Sequence, residues 1–140
     1  PLTVTAHKLA LESLFEASLT VQSPDVVEAA RLRAWATAHG VARPTIPEGC
    51  AHPAHCYFVL MPTPEAQRGL IAHLGARGIL AVFHYQPLHL SAMGRRYGGR
   101  DGQCPVTEDV SERLVRLPLF AALSDADLDA VVEAVTSFRP

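Results

Sequence analysis

The chain has 140 residues, 49% of them hydrophobic, and a formal net charge of −2. This length fits one ordinary domain with a real core, and the apolar content excludes a disordered chain. No apolar run approaches the roughly 20 residues that cross a bilayer, and the charge gives no general attraction to polyanions, so we expect neither a membrane nor nucleic acid as a partner.

The first part of the chain predicts two helices. Residues 3–20 carry leucines and a phenylalanine at helical spacing. Ser23, Pro24 and Asp25 then give an N-cap hydroxyl, a proline in the first turn and an acid near the positive end of the dipole. This second helix should run to about His39 and end at Gly40. Residues 41–55 contain three prolines and a glycine, which predicts an ordered connector and the domain boundary.

The middle of the chain predicts a strand, a helix and a second strand. Residues 56–62 are aromatic and β-branched and close on a proline, which indicates a buried strand. Thr63 should cap a helix that places four apolar residues on one face and ends by Gly78. The apolar run at 79–85 predicts the second strand.

The last third begins with residues 91–106, whose glycines and arginines predict a loop. Thr107 should cap a short helix that reaches about Leu114, and residues 115–119 predict a third strand. Ser124 should open the final helix, which carries a stripe of valines. The order α-α-β-α-β-α-β-α predicts a two-layer α/β (α+β) sandwich, in which helices cover one face of a small three-stranded sheet.

Cysteine and histidine cluster at Cys50, His52, His55 and Cys56. Zinc accepts such ligands, but classical sites use cysteine pairs two to four residues apart and histidine pairs three to five apart. His55 and Cys56 are adjacent at a strand start, where successive side chains point to opposite faces. We therefore favour loop histidines and a buried thiol over a metal site. The three cysteines of the chain are too few for a disulfide framework, which favours a reducing cytoplasm.

Two other stretches could contact a ligand. In "GILAVFHYQPLHL", residues 78–90, an apolar strand ends in His84, Tyr85, Pro87 and His89. This pattern fits either a rigid polar lip at a ligand cleft or two ordinary surface histidines. The basic glycine-rich loop that follows fits either a solvated loop or a site for phosphate oxygens. No serine or cysteine lies in a nucleophile motif.

Several stretches, read in order, resemble one family. They are "IPEGCAHPAHCYFVLM" (46–61), "GILAVFHYQPLH" (78–89), "MGRRYG" (93–98), "TEDVSERLVRLPLF" (107–120) and "LSDADLDAVVEAV" (123–135). They resemble the PLP-dependent sugar-nucleotide aminotransferases of the DegT/StrS type, most closely the branch that aminates a TDP-4-keto-6-deoxy-glucose. Residues 14–19 and 31–35 more loosely resemble the helical linker between the two domains of that family.

The resemblance implies that only part of a fold-type-I aminotransferase is present. Such enzymes carry PLP and its Schiff-base lysine in a large domain, and a small C-terminal domain closes the site. Residues 1–45 would be linker and residues 46–140 the small domain. Of the 12 basic residues only Lys8 is a lysine, and its surroundings lack the Schiff-base motif. We therefore expect the isolated chain to bind no PLP and to be inactive, with PLP bound in the full-length parent enzyme.

The resemblance also implies roles for particular residues. His84, Tyr85 and His89 would contact the sugar nucleotide, the two histidines as hydrogen-bond donors, and Arg95 and Arg96 would approach its diphosphate. His55 would support the cleft from the domain interface, and no catalytic residue would lie in this chain. The partners implied are a TDP-type sugar nucleotide, an amino-acid donor, the large domain and, in the parent enzyme, a second subunit of a homodimer. The alternative is a non-catalytic interaction or sugar-nucleotide-binding module with the same fold.

Overall fold

A computed structural model describes residues 24–44, 56–120 and 122–140. The helix predicted at 3–20, the N-cap Ser23, most of the connector and three members of the cysteine and histidine cluster (Cys50, His52 and His55) lie outside the described residues. The elements within them are α1 (Pro24–Ala38), β1 (Tyr57–Leu60), α2 (Pro64–Gly75), β2 (Val82–Phe83), a 3₁₀ turn (Leu88–Leu90), α3 (Ala92–Arg96), α4 (Pro105–Arg113), β3 (Leu114–Leu117) and α5 (Asp125–Ser137).

The three strands form one antiparallel sheet with the order β1-β3-β2. β3 is central, and Val115 lies opposite Val59 on one side and Phe83 on the other. Because side chains alternate along a strand, Val115 and Leu117 of β3 are buried while Arg116 lies on the other face. The predicted architecture of a small three-stranded sheet with helices is confirmed.

Two helices begin at the N-caps that the sequence predicts. The amide of Ala66 donates to Thr63 Oγ1 at 3.1 Å, and the amide of Asp127 donates to Ser124 Oγ at 3.2 Å. Each bond satisfies a backbone donor that a helix start leaves without an intrahelical partner. The caps therefore fix where α2 and α5 start.

One core joins the helices to the buried face of the sheet. Its members come from α1, β1, α2, β3 and α5 and the segments beside them: Leu32, Trp35, Ala36, Val41, Val59, Met61, Ala66, Leu70, Leu74, Ala81, Val115, Leu117, Val131, Val132, Ala134 and Val135. Trp35 also donates from its indole Nε1 to the carbonyl of Phe138 at 2.9 Å, across 103 positions of sequence. The helix from the predicted linker region thus packs into the same core as the sheet.

The structure corrects three sequence-based expectations. α4 begins at Pro105, two residues before Thr107, because a proline in the first turn sacrifices no intrahelical hydrogen bond. Residues 91–106 are not all loop, since Ser91 caps the helix α3. β2 has two residues instead of seven, because it pairs only with Arg116 and Val115 of β3.

β2 is also less buried than an interior strand. Phe83 is 51% exposed and Leu80, which precedes the strand, is 80% exposed. β2 lies at the edge of the sheet, so it has a strand partner on only one side. The apolar half of "GILAVFHYQPLHL" therefore forms an edge strand that is preceded by partly exposed residues.

Candidate functional site

Residues 84–90 directly follow β2, and we call them the lip. We use the name aromatic end for His84 and Tyr85 together with Arg116, which lies beside them on β3. The rings of His84 and Tyr85 are stacked with their centroids 3.7 Å apart, and the peptide bond between these residues is cis. Arg116 Nη1 donates to Tyr85 Oη at 3.3 Å and lies 3.5 Å from His84 Nδ1.

Arg116 is a site residue that the sequence reasoning missed. Arg116 lies opposite Val82 in the sheet. Since Val82 is only two positions before His84, this register brings the guanidinium of Arg116 to the lip. In the described part of the chain its hydrogen bonds go to the imidazole of His84 and the hydroxyl of Tyr85, and it forms no ion pair with a carboxylate. The alternation of Leu114-Val115-Arg116-Leu117 was the available signal, since it places Arg116 on the face opposite the core.

We use the name anchored end for His89, at the other end of the lip, together with its partner Glu108 on α4. His89 Nε2 lies 2.8 Å from Glu108 Oε1, and the two side chains are only 14% and 20% exposed. The same carboxylate accepts hydrogen bonds from the amides of Gly102 at 2.9 Å and Cys104 at 3.1 Å. The Gly102 amide, then His89 and then the Cys104 amide hold the pKa of Glu108 below its ordinary value. One carboxylate therefore joins the lip to the start of α4 and to the loop before it.

The arginines that the sequence assigns to a diphosphate lie on α3, beside the anchored end. Arg95 donates two hydrogen bonds to Asp101, at 2.9 and 3.0 Å, while Arg96 is exposed. The bonds from Arg95 lower the pKa of Asp101. Arg95 therefore already has a carboxylate partner, and Arg96 offers its charge to solvent.

Glycines let α3 pack closely against the lip. A Cβ on Gly94 would overlap the carbonyl oxygen of Leu88, and a Cβ on Gly99 would overlap that of His89. The amide of Gly99 also donates to the carbonyl of Gly94 at 2.9 Å. The glycines of this segment therefore serve close packing, not only flexibility.

Two grooves border the site. A cavity of about 520 Å³ lies between the lip and α4, and its lining includes Tyr85, Pro87, Leu88, Val106 and Val110. A groove of about 1060 Å³ runs between the end of the sheet and α5, with Arg116 among its lining residues. The aromatic end of the lip thus borders space that a ligand or another domain could occupy, with His84 and Tyr85 on the smaller cavity and Arg116 on the larger groove.

The described residues do not by themselves fit PLP. They include no lysine, because Lys8 lies outside them, so they supply no amine for a Schiff base. Nor do the described histidines, cysteines and acids form a group of three that could hold a metal ion. No helix among residues 24–44, 56–120 and 122–140 is long and apolar enough to span a membrane.

The structure brings together some of the predicted site residues and separates others. His84 and Tyr85 lie together at the aromatic end, His89 is bound at the anchored end, and Arg95 and Arg96 lie on α3. His55 lies outside the described residues. His84, Tyr85 and Arg116 therefore form one cluster at the aromatic end, separate from the pair of His89 and Glu108 at the anchored end.

Two curated relatives match most of the chain. A protein of Geobacillus stearothermophilus named "Pleiotropic regulatory protein" is 30% identical over 99 residues, which are 70% of this chain and 26% of the relative. A dTDP-4-dehydro-2,3,6-trideoxy-D-glucose 4-aminotransferase of Saccharopolyspora spinosa is 31% identical over 90 residues, 64% of this chain and 22% of the relative. The chain therefore spans about a quarter of the length of these curated relatives.

A solved structure supports the fold. The putative sugar aminotransferase Spr1654 of Streptococcus pneumoniae, in its PMP form, superposes with a TM-score of 0.73 at 20% identity. The match covers 92% of this chain and 31% of that one. The PLP form of the same protein superposes with a TM-score of 0.68 at 22% identity, over 79% of this chain and 29% of that one. The described fold is thus found within a larger sugar aminotransferase.

The family model of the DegT/DnrJ/EryC1/StrS aminotransferases matches residues 25–136, a range that includes the sheet, the lip, α3, α4 and nearly all of α5. Since this range is most of the 140 residues, the chain belongs to the DegT/DnrJ/EryC1/StrS aminotransferase family.

Proposed function

We propose that this chain is the C-terminal small domain of a sugar-nucleotide aminotransferase, which transfers an amino group from an amino acid to a keto sugar nucleotide in deoxysugar biosynthesis. The observation that carries the proposal is the family match over residues 25–136, combined with relatives of which the match covers only 26% and 22%. The two-domain division at residues 45 and 46 and a cytoplasmic, homodimeric parent enzyme are parts of the same proposal.

The parent enzyme's cofactor would be PLP, which acts as the electron sink for amino transfer when it is bound. Since the only lysine, Lys8, lacks the family's Schiff-base motif, the large domain would supply the lysine that holds it. This chain would contribute binding and shielding of the substrate, and the isolated chain would not transaminate.

Within the parent enzyme the aromatic end of the lip would contact the sugar nucleotide. Tyr85 and His84 offer a hydroxyl and an imidazole at the end of a strand, and Arg116 brings a positive charge beside them. A guanidinium forms its strongest hydrogen bonds with carboxylate or phosphate oxygens, so the diphosphate is the group that Arg116 suits. Arg96 would give a second, more exposed positive charge.

Turnover of the full-length parent enzyme tests this role. We expect His84→Ala and Tyr85→Phe to raise the KM for the sugar nucleotide and to leave the melting temperature almost unchanged. Ala72→Ser, at an exposed position of α2 remote from the lip in sequence, is the matched control for surface substitution. A loss of stability equal to the loss of turnover would return His84 and Tyr85 to a purely structural role.

The isolated chain tests the missing cofactor site. Titration with PLP should give no saturable absorbance band beyond the nonspecific adduct of Lys8, and Lys8→Arg should remove that adduct. A stoichiometric band that survives in Lys8→Arg would contradict the proposal, because this variant contains no lysine.

A non-catalytic binding module is the second candidate. It is favoured by the relative named "Pleiotropic regulatory protein", and by the absence of lysine from the described residues. The parent reading frame separates the two candidates. A large domain with a PLP-binding lysine upstream of residue 1 supports the aminotransferase, and a reading frame that begins near residue 1 supports the module.

A further inference from the structure

We infer that Glu108 is a positioning residue: it holds His89 with the Nε2 hydrogen directed at its carboxylate, so that His89 meets a ligand through Nδ1 and accepts a hydrogen bond from a hydroxyl group. This inference deepens the proposed function, because it rests on the lip as the contact for a sugar nucleotide. It assigns a role to Glu108 and a contacting atom to His89, and it makes His89 a hydrogen-bond acceptor where the family resemblance implied a donor.

The first step concerns which atom carries the hydrogen. Glu108 is ionised near neutral pH, since three donors lower its pKa, and an ionised carboxylate can only accept hydrogen bonds. His89 Nε2, 2.8 Å from Oε1, must therefore be the donor. A neutral imidazole has one N–H, so neutral His89 carries it on Nε2 and has a lone pair on Nδ1.

The second step concerns how firmly Glu108 itself is held. Its Oε1 accepts from His89 and from the amide of Cys104, and its Oε2 accepts from the amide of Gly102. Two of these three donors are backbone groups whose positions the loop fixes. The two amides thus hold the carboxylate independently of His89. A carboxylate held in this way fixes the orientation of the imidazole ring as well as its tautomer.

The third step concerns what Nδ1 can reach. Within the described residues no protein group forms a hydrogen bond with His89 Nδ1. Among the described residues, every side-chain nitrogen or oxygen that is fully buried has a hydrogen-bond partner. Since Nδ1 has no such partner, it is not fully buried and keeps some contact with solvent. The side chain is only 14% exposed, which leaves a narrow approach to this atom. An acceptor with a narrow approach selects a small donor.

The chemical class of the ligand group follows from the lone pair. Nδ1 of neutral His89 cannot donate to a phosphate oxygen or a carboxylate, but it accepts from a hydroxyl. A sugar ring presents several hydroxyls, whereas a diphosphate presents only acceptors. His89 would thus contact the sugar, and the positive charge of Arg116 would suit the diphosphate.

Nitrogen NMR of the 140-residue chain with labelled histidine tests the tautomer directly. In the neutral form of His89, long-range proton–nitrogen correlations should show the hydrogen on Nε2. Glu108→Gln should lower the Nε2–H fraction, because a neutral amide accepts more weakly and can donate instead. Asp109→Asn is the matched control: it removes the same charge at the next residue, from a carboxylate that pairs with Arg113.

Two results would overturn the role of Glu108. One is a wild-type His89 with its hydrogen on Nδ1, a measurement that needs no variant. The other is an Nε2–H fraction in folded Glu108→Gln equal to that in Asp109→Asn. Backbone amide spectra establish that both variants are folded.

A ligand titration tests the hydroxyl assignment. Thymidine diphosphate and TDP-glucose both carry the diphosphate, but only the second carries sugar hydroxyls. Nδ1 of His89 should shift with TDP-glucose and not with thymidine diphosphate, and equal shifts would overturn the assignment. If neither probe shifts His84 or His89 in the full-length parent enzyme, the ligand assignment and the proposed sugar-nucleotide contact both fail, while the tautomer still decides the role of Glu108.

Discussion

The two ends of the lip are built differently although His84 and His89 are only five positions apart in the sequence. At the aromatic end, stacked rings share one guanidinium and the hydrogen bonds are 3.3 and 3.5 Å long. At the anchored end, one carboxylate accepts three hydrogen bonds of 2.8 to 3.1 Å. The charge of Glu108 is thus surrounded by three hydrogen-bond donors, whereas Arg116 forms no ion pair with a carboxylate among the described residues.

This contrast separates stability from binding. A group whose hydrogen bonds are all made within the fold contributes to folding and has little capacity left for a ligand. Arg116 and Tyr85 keep much of their capacity to form hydrogen bonds with a ligand, so substitutions at these residues should alter binding more than folding. Substitutions around Glu108 should alter both, because the same carboxylate anchors the loop and orients His89.

The largest effect on folding is expected from Gly99→Ala, next to the anchored end. Its Cβ would overlap the carbonyl oxygen of His89, and backbone atoms yield less easily than the end of a side chain. We expect a loss of about 1–3 kcal/mol in the free energy of unfolding, measured with urea. Gly75→Ala is the control, since a Cβ there meets nothing within 4 Å and Gly75 ends α2. Equal effects of the two substitutions would mean that the segment after α3 does not pack tightly on the lip.

A smaller effect should depend on pH. The pKa of Glu108 is lowered in the fold, so its contribution to stability is present above the ordinary carboxylate pKa and disappears as the pH falls through the lowered value. Wild type should therefore lose more stability between pH 7 and pH 3 than Glu108→Gln, as measured by urea midpoints. Asp109→Asn reports the same loss for a carboxylate whose pKa is lowered by Arg113 alone. If Glu108→Gln loses as much as wild type, the three hydrogen bonds contribute nothing to folding.

Local rules predicted the helical and central part of the fold. Thr63 and Ser124 cap α2 and α5 because a hydroxyl beside a helix start acts within three residues. Alternation along β3 and the apolar run of β1 are equally local, and both strands lie within two residues of their predicted bounds. The resemblance to the aminotransferase family added the identity of the parent fold, which the family match confirms.

The site was less predictable because its contacts join distant residues. His89 and Glu108 are 19 positions apart, and Tyr85 and Arg116 are 31 apart, so no local pattern connects them. Histidines at the end of an apolar run fitted both a lip and an ordinary surface, and the pattern alone slightly favoured the surface. Only the register of β2 against β3 shows that Arg116 belongs to the lip. The glycines after α3 indicated a loop, because sequence alone does not show that they allow close packing.

The smallest effect on folding and the clearest effect on binding are expected from Arg116→Gln. It should change the free energy of unfolding by no more than about 0.5 kcal/mol, as for a surface substitution, because no ion pair with a described residue is lost. Binding of thymidine diphosphate, measured by calorimetry, should weaken about 10- to 150-fold, since a charged hydrogen bond is worth about 1.5–3 kcal/mol. Arg68→Gln removes the same charge from the Arg68–Glu65 pair on α2 and should leave binding unchanged. Equal weakening of thymidine diphosphate binding in both variants would mean that Arg116 acts only through the overall charge of the chain. A large loss in the free energy of unfolding of Arg116→Gln would mean that the aromatic end stabilises the fold as the anchored end does.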